Sequence, residues 1–165
     1  MKPGRVMGVT ELGRDVRVFI RAFVSKHKNK LTGRVLDYGC GLEPYKDLVS
    51  GEYVPFDDGY VADKYNKVYP PYSGHFNTVL LTDVLACFID PRPLLKSFDT
   101  DYVLLTSTGC WHEGCKFDLS RFTLNGLRKI LKDSGFEILD EEILGIFTIS
   151  EVEFPQHHGI LARKI

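Results

Sequence analysis

Apolar residues at Leu12, Val16, Phe19, Ile20 and Phe23 recur at helical spacing while Arg14, Arg17, Arg21 and Lys26 take the opposite side, which predicts an amphipathic helix from Thr10 to about Lys28. Gly33 ends that pattern, and RVLDY, β-branched and apolar up to Asp37, reads as a short buried strand. After Gly39-Cys40-Gly41, Pro44 is placed to open a short helix ending near Gly51, since proline there forfeits only an unpaired amide. EYVPF reads as a second strand. The stretch from Asp57 to His75, rich in Tyr, Pro and Gly, has room for at most one short strand, around Val61 to Asp63. FNTVLLTDVL is a strong buried strand, and Asp90 with Pro91 caps and opens a helix through about Phe98.

DYVLLTS is a further buried strand. The polar loop TGCWHEGCKFDLSRF leads to a helix capped by Thr123 and stopped by Gly135, with Leu124, Leu127, Ile130 and Leu131 on its inner face. FEILDEEILGIF and GILARKI read as two closing strands, joined by a loop containing Pro155, His157 and His158. Strands alternating with helices predict an α/β fold, a Rossmann-like doubly wound sheet that is mostly parallel, with an antiparallel pair at one edge. Ligands of such sheets bind beyond the carboxyl ends of the strands, where strand order reverses.

At 165 residues with 44% hydrophobic content, the chain can bury one core, so residues 1–165 read as a single domain: an N-terminal helix in 1–32 and a binding core in 33–165. A net charge of -1 gives no bulk attraction to nucleic acid or anionic membrane. The four cysteines (Cys40, Cys87, Cys110 and Cys115) lack the spacing of a secreted disulfide framework, the polar start lacks an apolar leader, and the expected location is the cytoplasm. No apolar run reaches the roughly 20 residues of a membrane span.

The chemistry concentrates at the glycine turn. Gly39 and Gly41, directly after a strand, let backbone approach a ligand closely. A dinucleotide fingerprint would carry a third glycine where Pro44 stands, and Asp37, two residues before the turn, would repel a pyrophosphate. A ligand bearing positive charge suits Asp37 better. Asp57, with Asp58 beside it, ends the next strand, the position from which a carboxylate accepts from ribose hydroxyls. An adenosine-like ligand with a cationic tail fits both acids.

On VLDYGCG, YVPFD, FNTVLLTDVL, DPRPLLKSF and KFDLSRFTLNGLRKILKDSGFEI, the chain from about Gly33 onward resembles the class I S-adenosylmethionine-dependent methyltransferases, in particular the small type 11 group. The resemblance implies a cofactor site built from Asp37, Tyr38, Gly39, Cys40, Gly41, Asp57, Asp58, Thr82 and Asp83. Within it, Asp37 would lie under the methionine ammonium, the glycines along the methionine moiety, Asp57 at the ribose, and backbone near Thr82 and Asp83 on the sulfonium side. Asp63 and Tyr65 would wall the adenine. Three departures stand out: Glu43 replaces a glycine, Ala86 and Cys87 replace a Glu-His pair, and the 57–75 segment is short enough that a helix of the larger fold is expected to be missing.

Methyl transfer needs alignment more than a dedicated base, so the catalytic candidates are only His112 and Asp83, by placement at strand ends. Trp111, His112, Asp118 and Arg121 are candidates for the acceptor side, with an Asp118–Arg121 ion pair that fixes the loop as the structural alternative. Cys110, His112 and Cys115 are metal-ligand types without a fourth ligand at standard spacing, so no metal is expected. YPPY at Tyr69 to Tyr72 resembles an amino-group methyltransferase signature but precedes the strand it should follow, and SKHKNK reads as a solvated helix end. The expected function is methyl transfer from S-adenosylmethionine to a small-molecule or macromolecular acceptor. The alternative is a non-catalytic module of the same fold that works with a protein partner; a homodimer is a further candidate arrangement.

Overall fold

The structure, a computed structural model, describes residues 9–58, 68–109, 119–149 and 152–165. Helix α1 (Val9–Lys26) precedes strand β1 (Arg34–Tyr38), then β2 (Glu52–Phe56), β3 (Phe76–Thr82), α2 (Arg92–Ser97), β4 (Thr100–Thr108), α3 (Leu124–Asp133), β5 (Phe136–Ile149) and β6 (Val152–Lys164). These strands form one sheet in the order β2-β1-β3-β4-β6-β5, the first four parallel. The antiparallel pair closes one edge, with β6 between β4 and β5. Strand order reverses between β1 and β3, so their carboxyl ends mark the place where a doubly wound sheet binds its ligand.

Alternation along the central strands divides the core in two. Val35, Leu80, Leu104, Leu144 and Leu161 pack with Ile20, Phe23 and Val24 of α1 on one face. On the other, Leu36, Val79, Leu81, Val103, Leu105, Ile160 and Ala162 pack with Leu95 of α2 and Leu127 and Leu131 of α3. Burial on both faces explains why the central strands read as continuous apolar runs. Gly159 lets α1 seat closely, because a Cβ there would stand 2.8 Å from the Phe23 ring.

Several expectations change in detail. The helix expected from Pro44 to Gly51 is a single 3-10 turn, Lys46–Leu48. Phe19 is 43% exposed and the helical stripe continues instead through Val24, which is fully buried. Pro91 occupies the cap position of α2, while the Asp90 carboxylate accepts from the Arg92 amide at 3.1 Å. Thr123 caps α3 as expected, its hydroxyl accepting from the Gly126 amide at 3.1 Å. The loop expected to hold Pro155, His157 and His158 is not a loop: all three belong to β6, paired with β5. A strand at Val61 to Asp63 lies outside the described residues. Among those described, no helix is long and apolar enough to cross a membrane.

Candidate functional site

At the carboxyl end of β1 the chain turns sharply through Gly39 (φ 76°) and Gly41 (φ 53°). The amides of Gly39 and Cys40 both donate to the Phe56 carbonyl, at 2.7 and 3.1 Å, tying the turn to the end of β2. A Cβ at Gly39 would lie 2.4 Å from Cγ2 of Val84, so the turn rests against the segment leaving β3 with no room for a side chain. Glu43 also takes a left-handed backbone, φ 60°, the conformation a glycine adopts without cost. Its carboxylate pairs with Lys46 Nζ at 3.0 Å.

Asp37 shares the α1 face of the sheet with Val35 and is fully buried. The Tyr53 hydroxyl donates to Asp37 Oδ2 at 2.6 Å, while Oδ1 is buried without a hydrogen-bond partner. Burial pushes this carboxyl up to about 6, opposed by the Tyr53 hydrogen bond and reinforced by the nearby charges of Glu43 and Asp57. Asp57 is half-buried, and its Oδ2 accepts from the Gly41 amide at 3.0 Å. The acid expected to face a ribose therefore also holds the glycine turn. Asp58 is exposed beside it. Cys40 is buried, its thiol pushed up to about 11 by desolvation, which makes it a packing residue rather than a nucleophile.

Tyr38 points to the opposite face, where its ring packs at 5.2 Å from Phe56, 5.7 Å from Tyr72 and 5.6 Å from Phe98. Its side chain thus braces the β1–β2 end from behind, while its backbone leads into the turn. YPPY has a related structural part. The Tyr69 hydroxyl donates to the Gly41 carbonyl at 3.0 Å, and Tyr72 joins the aromatic cluster.

The end of β3 supplies Thr82 and Asp83. Asp83 adopts φ 58°, which breaks the strand alternation. Its amide donates to the Thr106 carbonyl at 3.0 Å, and the Thr106 hydroxyl donates to Asp83 Oδ1 at 3.1 Å. His157 Nε2 stands 3.2 Å from Asp83 Oδ2 and 3.4 Å from the Thr108 hydroxyl. Proline and paired histidines read as a loop, which hides the placement of His157 beside Asp83. The unbroken continuation back from GILARKI, with little turn chemistry beyond Pro155, was the signal available.

Trp111, His112 and Asp118, with Cys110 and Cys115, lie outside the described residues. Arg121 is described and donates to the Ser120 carbonyl at 2.9 Å. Leu119 and Ser120 donate through their amides to the Ala86 carbonyl at 2.7 and 3.0 Å, so the loop before α3 returns to the turn after β3. Among the described residues no group of His, Cys, Asp or Glu could hold a metal ion.

Neither a family model nor a curated protein matches this sequence. Among solved structures, the chain is similar to magnesium protoporphyrin IX methyltransferase from Synechocystis PCC 6803 with bound SAH: 18% identity over 98% of this chain and 89% of that one, TM-score 0.63. It is also similar to a SAM-dependent methyltransferase from Archaeoglobus fulgidus (17% identity, 90% of this chain, 94% of that one, TM-score 0.62). A third likeness is to a chain of the Haloferax volcanii complex between the Trm112 methyltransferase activator and a methyltransferase (14%, 92% and 94%, TM-score 0.59). The chain has the fold of the class I S-adenosylmethionine-dependent methyltransferases.

Proposed function

We propose that the chain binds S-adenosylmethionine at the carboxyl ends of β1, β2 and β3 and transfers its methyl group to an acceptor. One observation carries the reading: a buried carboxylate, Asp37, with an unpartnered Oδ1, beside a glycine turn that has no room for a side chain at Gly39, at the strand-order reversal. A buried anion without a full set of partners is unstable alone, and an ammonium group brought to it restores the balance. S-adenosylmethionine carries that ammonium, a ribose for Asp57, and a methyl group activated by its sulfonium.

In this reading Asp37 orients the methionine end and Tyr53 holds the carboxylate in place. The Gly39–Gly41 turn gives close backbone approach, while Asp57, half-buried at the end of β2 with Oδ2 on the Gly41 amide, stands where a ribose would meet it. Thr82 and Asp83 lie on the sulfonium side. Trp111, His112, Asp118 and Arg121 are proposed for the acceptor side; of the described residues, Leu119 and Ser120, just before Arg121, bond to the Ala86 carbonyl, three residues after Asp83. A chain with so little inserted structure meets its acceptor in a shallow pocket or on a partner protein.

The test is calorimetric titration with S-adenosylmethionine and S-adenosylhomocysteine. Asp37→Asn and Asp57→Ala should each weaken both ligands by roughly tenfold or more, the loss expected for a charged hydrogen bond. A folded protein that binds neither, or prefers a nicotinamide dinucleotide, refutes the proposal. The second reading, a non-catalytic module acting with a partner, is motivated by Glu43 where the resembled family often has glycine and by the short segment between Asp57 and His75. Cofactor binding without turnover on a broad acceptor panel would favour it.

A further inference from the structure

We propose that Asp83 and His157 form a charge-matching pair that faces the sulfonium of S-adenosylmethionine and distinguishes it from neutral S-adenosylhomocysteine. The inference rests on the cofactor reading above and adds to it a residue, His157, that the sequence pattern placed in a loop.

The pair is held from several directions. Asp83 follows β3 at the strand-order reversal, and the next residue, Val84, rests on Gly39 of the cofactor turn. Its left-handed backbone, uncommon for any residue other than glycine and least costly for Asn or Asp, turns the carboxylate toward β4 and β6. There one oxygen takes the Thr106 hydroxyl at 3.1 Å and the other meets His157 Nε2 at 3.2 Å. The Asp83 side chain is 37% exposed and the His157 side chain only 7%, so a ligand at the turn reaches the carboxylate, and the imidazole acts from behind it. Asp83 would touch the cofactor; His157 is a positioning residue.

Among the described residues, other charges reach the pair, and the adjacent His158 senses the charge of the His157 imidazole. Tyr45, from the turn after β1, senses both Asp83 and Asp37 as well as Arg17 and Arg21 of α1. His158 follows on the opposite face of β6, and β5 presents Leu144 across from His157. With a neutral imidazole the pair is anionic and matches a sulfonium; with an imidazolium it is neutral and does not.

The same arrangement accounts for charge during transfer to an amine or hydroxyl acceptor. As the bond from nucleophile to methyl carbon forms, the carbon–sulfur bond breaks with its electrons going to sulfur. The proton shed by the nucleophile passes to the Asp83 carboxylate, which His157 holds from behind. One positive charge disappears at sulfur and one appears on the pair, so the site keeps its net charge.

The experiment needs no acceptor. Both ligands are titrated calorimetrically in buffers of different ionisation enthalpy, from about pH 5.5 to about 8.5, the range in which histidines change charge. The two ligands carry the same ammonium, so proton exchange at Asp37 cancels in the comparison between them. Wild type should release more protons on binding S-adenosylmethionine than on binding S-adenosylhomocysteine, and its preference for the former should grow with pH. His157→Gln should abolish the pH dependence of that preference while still binding both. Asp83→Asn, which suits a left-handed backbone, should lower the preference by about fivefold or more, the effect of removing one charge from a half-exposed site. Circular dichroism confirms that each variant is folded. An unchanged preference in Asp83→Asn, or a proton difference that persists in His157→Gln, overturns the pair alone. A wild type that binds neither ligand overturns the cofactor reading and the pair with it.

Discussion

Replacing Asp37 by Asn should stabilise the empty protein at neutral pH and weaken its binding of S-adenosylmethionine. The carboxyl is fully buried, and its proton affinity is raised from 3.8 to about 6, mainly by burial. The folded state therefore holds a proton that the unfolded state gives up between those values, so stability falls as pH rises through this window and stays low above it. A difference of about two pKa units corresponds to roughly 3 kcal/mol at neutral pH. Asn keeps the size and can still accept from the Tyr53 hydroxyl, but a hydrogen bond to a neutral group is weaker by about 1 kcal/mol. The net gain is about 2 kcal/mol, or roughly 4–8 °C in Tm for a domain of this size.

Urea unfolding followed by fluorescence, for both proteins from about pH 4 to about pH 8, measures the effect. The variant should be the more stable at the upper end, and its advantage should vanish at the lower end, where Asp37 is protonated in the folded wild type. A variant less stable than wild type at about pH 8, or a difference that does not change with pH, would refute the reasoning. Stability gained together with ligand affinity lost is the pattern of a binding site whose strain is relieved by its ligand.

Other substitutions test the turn and its supports. Gly39→Ala must place a Cβ 2.4 Å from Val84 on a backbone of φ 76°, and should cost about 2–4 kcal/mol in chemical denaturation, part of it recovered by adding Val84→Ala. Glu43→Gly should stabilise by about 1 kcal/mol, because it relieves a left-handed non-glycine backbone at φ 60° and the surface pair with Lys46 contributes little; a loss of stability would show that the pair matters more. Thr123→Ala removes the hydroxyl that caps α3 and should cost about 1 kcal/mol, visible as a lower urea midpoint with an unchanged slope.

Local patterns in the sequence determined a good deal about this protein. Helical periodicity placed α1 and α3, continuous apolar runs placed the central strands, and Thr123 and Gly135 bounded the last helix, because caps and periods depend on neighbours within a few residues. The pairing of Asp37 with the Gly39–Gly41 turn was equally legible, being one strand and its exit. What the tertiary structure decided is which distant residues meet. Asp57 reaching back to the Gly41 amide, Tyr53 closing on Asp37, and Tyr69 holding the Gly41 carbonyl all join residues 16 to 28 positions apart. The pairing of Asp83 with His157 spans most of the core. It exists because β6 enters the sheet beside β4, setting His157 opposite Thr108 and bringing its side chain to the end of β3. Strand order arises from how whole faces bury against α1, α2 and α3, a property of the assembled sheet that no local run of residues encodes.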